Sequence, residues 1–363
     1  MIWIKKSLLS GVFIVISSIV LLEIIGLFVF DNRYYWEQRY LSISQNSLTN
    51  KQIKTEDGEN TIWTYYPNSE IRYFGVYADF FGAHVEYDCT FETNSLGFIN
   101  TGPVNQSADY LVVGDSFTEG QGGCPWLTAA ALNSDPNFAE LSILNGGQQG
   151  AGILTFEKII ELHEQAVSIE NLVIIAISND FKRGDIFKWP LDGPCYIKLE
   201  CGNQDYWHFV DRYIDSEQLL SQAKSRRIGR NNPISSEVIR YSFTYRLFNE
   251  LTSLISQHVS NPPPPKEPKD LFAPYRNNFD ALERVLLRYP DTKIILVPQR
   301  DEVGLFGTEN SDTRIVKQYF NSKSIAYSFC FLDSDDYLYI DGHPNSEGYS
   351  KLFDCLKEET FER

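Results

Sequence analysis

The hydrophobic pattern changes character three times along the chain. From Leu8 to Phe30 it is an almost unbroken apolar run of 23 residues, preceded by Lys5 and Lys6 and interrupted only by small residues and Glu23. At about 1.5 Å per residue such a run spans a ~30 Å hydrocarbon core. It ends on Phe28-Val29-Phe30, without the small residues that a cleavage site needs. The pattern therefore predicts a retained transmembrane signal anchor over 7–30, a short cytoplasmic tail over 1–6, and the rest of the chain on the other side. From 31 to 108 no helical period emerges. Ile71–Phe81 and His84–Glu92 are rich in Tyr, Phe and Val with turn residues between, which predicts hairpin strands in a small membrane-proximal β extension. Beyond 109, short apolar runs at Tyr110–Val113, Leu141–Leu144, Leu172–Ile177, Ile294–Val297 and Ile325–Phe331 alternate with segments of 3–4 spacing. Those segments are Trp126–Leu132, Ile153–Leu162, Phe279–Leu287, Ile315–Phe320 and Tyr349–Leu356. Alternating strand and helix implies an α/β domain, with a parallel sheet covered on both faces.

More than a hundred residues separate the third apolar run from the fourth, far more than a connection needs, so an insertion with structure of its own is expected over 182–275. It holds an aromatic cluster (Tyr206, Trp207, Phe209, Tyr213), a basic stretch (Lys224, Arg226, Arg227, Arg230), an amphipathic helical pattern over Ser236–Val259 and a stiff spacer at Pro262–Pro265. The aromatic cluster suits either an insertion core or stacking on sugar rings. The basic stretch suits a solvated loop or contact with an anionic glycan.

Charge narrows the partners. Forty-eight acidic residues against 32 basic ones leave a formal charge of −16, a field that repels phosphate backbones and excludes nucleic acid as a natural partner. Six cysteines without metal spacing (Cys89, Cys124, Cys195, Cys201, Cys330, Cys355) suit an oxidising compartment such as the periplasm or cell surface. They allow fifteen pairings. Local proximity favours Cys195 with Cys201 and Cys330 with Cys355. Neither His-Glu-x-x-His nor Cys-x-x-Cys occurs, so no metal or other cofactor is expected. His84, His163, His208 and His258 lie outside any motif.

In open parallel sheets, ligands bind beyond the carboxyl ends of the strands. Four of the five runs are followed there by polar clusters: Gly114-Asp115-Ser116-Phe117, Asn145-Gly146-Gly147-Gln148-Gln149-Gly150, Ser178-Asn179-Asp180-Phe181 and Asp341-Gly342-His343-Pro344-Asn345. Ser116, at a strand-to-helix turn, has a nucleophile's position, with its backbone N–H at the positive end of a helix. Gly150 lets a backbone N–H approach a substrate, and Asn179 offers an amide donor. With the Ser116 N–H these make an oxyanion hole. His343 can take the serine proton and return it to a leaving group. Residues i and i+2 of an extended segment face one side, so Asp341 can orient the His343 ring. Asp335 and Asp336 are the alternatives for that role. Asp115 and Asp180 read as structural hydrogen-bonders.

With these four blocks in this order, Tyr110–Leu356 resembles the SGNH hydrolases, also called GDSL-type esterases. Thr93-Asn94-Ser95-Leu96-Gly97-Phe98 is similar to the lead-in segment of membrane-anchored bacterial members. The resemblance implies a three-layer α/β/α flavodoxin-like domain over 109–363. It implies Ser116, Gly150, Asn179 and His343 as the invariant four. It also implies hydrolysis or transfer of an O-acyl group, acetyl above all, on a small molecule or a polysaccharide through an acyl-Ser116 intermediate, without a cofactor. For a transferase, a membrane-resident acyl donor would be a partner. Two residues depart from the family pattern: Ile177 stands where the third block often has glycine, and Asp341 lies two residues before the histidine where the family often has three. The closer spacing is similar to the branch that acetylates alginate and other exported polysaccharides. Both departures also motivate the alternative of an inactive SGNH-fold protein that binds glycan or acts as a scaffold.

Overall fold

The computed structural model describes residues 13–25, 38–45, 51–54, 61–65, 67–78, 83–99, 103–124, 126–183, 270–303, 307–338 and 341–361. The aromatic cluster, basic stretch, amphipathic pattern and proline spacer expected in the insertion lie outside these residues, as do Cys195 and Cys201.

Within the first apolar run, residues 13–25 form helix α1, whose apolar side chains, Phe13, Ile14 and Leu21 among them, are exposed. No helix among the described residues is long and apolar enough to cross a membrane. The next segment holds five strands: β1 (Gln38–Gln45), β2 (Lys51–Lys54), β3 (Thr61–Thr64), β4 (Glu70–Ala78) and β5 (Ala83–Glu92). Strands β4 and β5 form an antiparallel hairpin with β1 on its edge, and β2 pairs with β3. Ile62 of β3 is buried in the core of the following domain. After β5, Asn94 Oδ1 accepts hydrogen bonds from the Leu96 and Phe98 amides at 2.9 and 3.1 Å, closing a turn that packs Phe98 at a tilt against the buried His163 ring, 4.7 Å between centroids.

The remaining strands are β6 (Ser107–Gly114), β7 (Ile143–Gly147), β8 (Ser168–Ile177), β9 (Lys293–Val297) and β10 (Ser328–Phe329). They form one parallel sheet in the order β10-β9-β8-β6-β7. The first of these strands in sequence, β6, thus lies between β8 and β7. The chain turns to one side of it for β7 and to the other for β8, which puts the switch point at the carboxyl ends of β6 and β8.

Strand periodicity of two explains the two cores. Leu111, Val113, Ile174, Ala176, Ile294 and Leu296 point to one face. There they meet helices α4 (Ile153–Glu164), α5 (Arg276–Arg288) and α6 (Ser311–Lys323) through Phe156, Ile160, Leu282, Val285, Val316 and Phe320. Their neighbours Val112, Val173, Ile175, Ile177, Ile295 and Val297 point to the other face. That face is covered by Leu132 of α3 (Ala129–Asn133), by Phe138, and by Tyr349, Leu352 and Leu356 of α7 (Ser346–Phe361). Burial on both faces is why the strands read as continuous apolar runs.

Two elements differ from expectation. The helix expected from Trp126 starts three residues later, because the Thr128 hydroxyl caps it by accepting from the Ala131 amide at 3.3 Å. The Trp126 indole donates instead to the Phe117 and Thr118 carbonyls. The last strand shrinks to Ser328 and Phe329, the residues in register with Ile295 and Leu296 of β9. Two disulfides lie among the described residues. Cys330–Cys355 ties the end of β10 to α7, as proximity suggests, and Cys89–Cys124 ties β5 to a turn of the α/β domain.

Candidate active site

Strand β6 ends at Gly114, and Asp115 caps the next turn by accepting from the Phe117 amide at 2.9 Å. That turn is α2 (Ser116–Glu119), closed by a left-handed Gly120 whose amide donates to the Ser116 carbonyl at 3.0 Å. Ser116 is therefore the first residue of a one-turn helix, held by a cap and by the Trp126 indole behind it. Such a short helix has little summed dipole, so what it gives Ser116 is direction rather than the field of a long helix.

His343 Nε2 lies 2.8 Å from Ser116 Oγ, across 227 positions of sequence. On the other side of the ring, Nδ1 is 3.1 Å from Asp341 Oδ2, with the carboxylate fully buried and the imidazole 14% exposed. This distance is within ion-pair reach, although the N–H is not aligned on the oxygen as a hydrogen bond requires. The route to this contact differs from the extended segment expected. The chain turns at Gly342, whose φ of +79° only glycine adopts readily, and the turn brings the Asp341 carboxylate beside the ring. The loop is anchored by the Leu338 amide donating to the His343 carbonyl at 2.7 Å, and by Arg300 Nη1 donating to the Leu338 carbonyl at 3.0 Å. Asp336 is committed elsewhere, accepting from the Asp333 amide and from Lys351 Nζ, both at 2.6 Å. The Asp335 carbonyl accepts from the Asn345 amide group.

Gly150 and Asn179 line the same cleft of about 470 Å³ as Ser116, Asp341 and His343. Gly150 has a φ of +75°, so a side chain there would strain the loop. Ile177 adopts ordinary extended geometry, φ −96° and ψ 157°, and packs in the second core. Nothing at that position requires the glycine of the family pattern.

Arg183 is the residue that sequence reasoning passed over. Its Nη1 lies 2.8 Å from Asp180 Oδ1 and 3.0 Å from Asp115 Oδ2, and donates to the Ala151 carbonyl at 2.8 Å. One guanidinium thus clamps the loops after β6, β7 and β8 together under the cleft. Both carboxylates are fully buried, and Asp180 Oδ2 also accepts from the Ile177 amide. Burial, and then the neighbouring Asp115 charge, push the Asp180 carboxyl well above the usual range in spite of Arg183. Burial disfavours the Arg183 cation, but Asp180 and Asp115 outweigh it and raise its pKa. Gln299, Arg300 and Asp301 also line the cleft. They follow β9, the one strand end whose polar residues were left out of the sequence reading, and that position was the available signal. Among the described residues, no group of three or more His, Cys, Asp or Glu side chains could hold a metal ion.

No protein-family model matches the chain, and no curated protein matches it. Among solved structures it is similar to a Streptococcus pneumonia protein assigned provisionally as a platelet activating factor. That likeness has 15% identity and a TM-score of 0.31, covering 69% of this chain and 83% of the other. It is also similar to a carbohydrate esterase family 2 enzyme with a carbohydrate binding domain from Corynascus thermopiles (Myceliophthora fergusii), at 13% identity and a TM-score of 0.31, covering 76% of this chain and 75% of the other. A third is the acetyl xylan esterase Est2A of the rumen bacterium Butyrivibrio proteoclasticus, at 12% identity and a TM-score of 0.30, covering 90% and 96%. Likeness at this level of identity and superposition does not assign an activity.

Proposed function

We propose that this chain is a serine-dependent enzyme of the SGNH type that hydrolyses or transfers an O-acyl group, acetyl above all, on an extracytoplasmic carbohydrate. The observation that carries the reading is the Ser116–His343–Asp341 contact chain, 2.8 and 3.1 Å, opening into a cleft that Gly150 and Asn179 share. With the ring proton on Nδ1 facing Asp341, His343 Nε2 accepts the Ser116 proton as Oγ attacks the acyl carbonyl. The Ser116 and Gly150 amides and the Asn179 side chain are the donors for the resulting oxyanion. Collapse breaks the ester C–O bond, and the departing alcohol takes the proton from Nε2, leaving acyl-Ser116. Water or a sugar hydroxyl then loses its proton to Nε2 and attacks, and the proton returns to Ser116 Oγ. Water as acceptor makes the enzyme an esterase, and a glycan hydroxyl makes it an acyltransferase.

Side chains of Gln149, Gln299, Arg300 and Asp301 in the cleft support a substrate bearing many hydroxyls. The two disulfides support an oxidising compartment. The exposed apolar surface of α1, in the middle of the 23-residue run, supports a membrane anchor. The regular backbone at Ile177 and the turn at Gly342, which brings Asp341 beside the His343 ring, support an active enzyme over an inactive scaffold. The test is turnover of p-nitrophenyl acetate by the full chain in detergent, with mass spectrometry for an acetyl group on the Ser116 peptide. Ser116→Ala should lose at least about a thousandfold in rate with its fold intact. An unchanged rate in that variant would refute the reading.

A further inference from the structure

The β4–β5 hairpin, expected as part of a membrane-proximal extension, reaches the acid end of the triad. Along the hairpin Phe74 pairs with Asp88 and Gly75 with Tyr87, but Val76 then pairs with Val85. Glu86 is therefore an extra residue on β5, the bulged position of the ladder. A bulge re-aims a side chain that regular pairing would direct elsewhere, and bulges concentrate beside active sites. Here the Glu86 carboxylate, through Oε2, accepts a hydrogen bond from the backbone amide of Asp341 at 3.2 Å, across 255 positions of sequence.

A second, covalent tie lies three residues further along the same strand. Cys89 is bonded to Cys124, which ends the turn after α2. Within that turn, a Cβ on Gly122 would stand 3.0 Å from the His343 Cβ and 3.7 Å from Asp341 Oδ2, so its backbone packs directly against the triad loop. The hairpin thus grips the Asp341–Gly342–His343 turn by a hydrogen bond on one side and braces it through the disulfide-bonded turn on the other. Gly342 needs such bracing, because a left-handed glycine is the most freely rotating joint in the loop.

We propose that Glu86 is a positioning residue for the triad: by holding the Asp341 amide it fixes the turn at Gly342 and so the placement of the His343 ring against Ser116. This rests on the catalytic reading of that site. Glu86 is not among the residues lining the cleft, so its effect should fall on kcat and leave KM unmoved.

The test compares full-length wild type with Glu86→Ala, Glu86→Gln and Glu86→Asp in detergent. Turnover of p-nitrophenyl acetate is read alongside the His343 ring resonances, assigned by their loss in His343→Gln. Glu86→Ala removes the acceptor and should lower kcat about tenfold at constant KM, with the His343 resonances shifted and the remote His163 signal unmoved. Glu86→Gln keeps an acceptor oxygen at the same reach and should recover most of the loss. Glu86→Asp keeps the charge but is one methylene short, and should resemble Glu86→Ala; it also replaces that variant if alanine prevents folding. If both Glu86→Ala and Glu86→Asp, or Glu86→Asp alone where alanine does not fold, match wild type in rate and in the His343 resonances, the proposal is overturned. If the wild type turns over no ester yet the resonances shift as described, the catalytic reading fails and the positioning role stands.

Discussion

Replacing Arg183 with Met keeps much of the side-chain volume and removes the cation that Asp115 and Asp180 share. In the wild type those carboxylates are fully buried and lie 3.0 and 2.8 Å from the guanidinium. Breaking a buried pair by removing one partner costs about 3–5 kcal/mol, a large share of the 5–15 kcal/mol typical of a folded protein. The loss should also depend on pH. The Asp180 carboxyl is already held above its ordinary range by burial and by Asp115, and removing Arg183 takes away the charge that opposes this. An unfolded aspartate titrates near pH 4. Between that value and the folded pKa, the native state holds a proton that the unfolded state has released. Stability then falls by up to about 1.4 kcal/mol per pH unit as pH rises. Wild type shares this slope as far as its own raised Asp180 carboxyl reaches, and the variant, whose Asp180 sits higher still, extends it to higher pH, so the deficit should be smaller at about pH 5 than at about pH 7. Urea denaturation followed by tryptophan fluorescence at the two pH values measures this, with the m-value as a check that the transition is unchanged in extent. A deficit below about 1 kcal/mol, or one equal at both pH values, would refute the account of a guanidinium clamping two buried acids.

Asn179→Ala should lower kcat by about 10²–10³ with a small change in KM, the signature of a donor used in the transition state, and steady-state kinetics on an acetyl ester would read it. His163 is held down to about 4 by burial, while its Nδ1–H donates to the Ile159 carbonyl at 2.7 Å. Its neutral form is favoured in the fold, so the full stability is present above about pH 6.5 and roughly 3 kcal/mol of it is lost as pH falls toward 4. Thermal melts should show a shallower pH dependence for His163→Leu over that window. Removing the Cys330–Cys355 disulfide with a double serine substitution opens a loop of sequence separation 25. The chain-entropy model puts the loss at about 3.5 kcal/mol, to be read as a lower urea midpoint.

Much of the α/β domain could be read from the sequence because β6, β7, β8 and β9 are buried on both faces toward their carboxyl ends. Leu172–Ile177 and Ile294–Val297 had no polar position to blur them, and strand ends followed directly. The four polar blocks were legible for the same reason, since a chemistry-bearing residue just past such a run has few places to go. What escaped detection was long-range or cooperative. Nothing near Arg183 marks it as the partner of an acid 68 positions earlier. Glu86 looks like any polar residue on a strand until the register of Gly75 and Val76 shows it to be the bulge. The Asp341–His343 spacing was read as extended, but a positive φ at Gly342 turns it, and residue identity alone gives only permission for that geometry.

The reach of the β strands into the α/β domain bears on how this protein is cut for expression. A fragment begun at residue 109, where the sheet domain starts by pattern, would discard Ile62 from the core and leave Glu119 without the Tyr65 hydroxyl that donates to it at 2.7 Å. It would also strand Cys124 as a lone thiol, ready to cross-link one molecule to the next. Soluble versions should instead keep everything from β1 onward, and a shorter fragment without activity would say little about the intact chain.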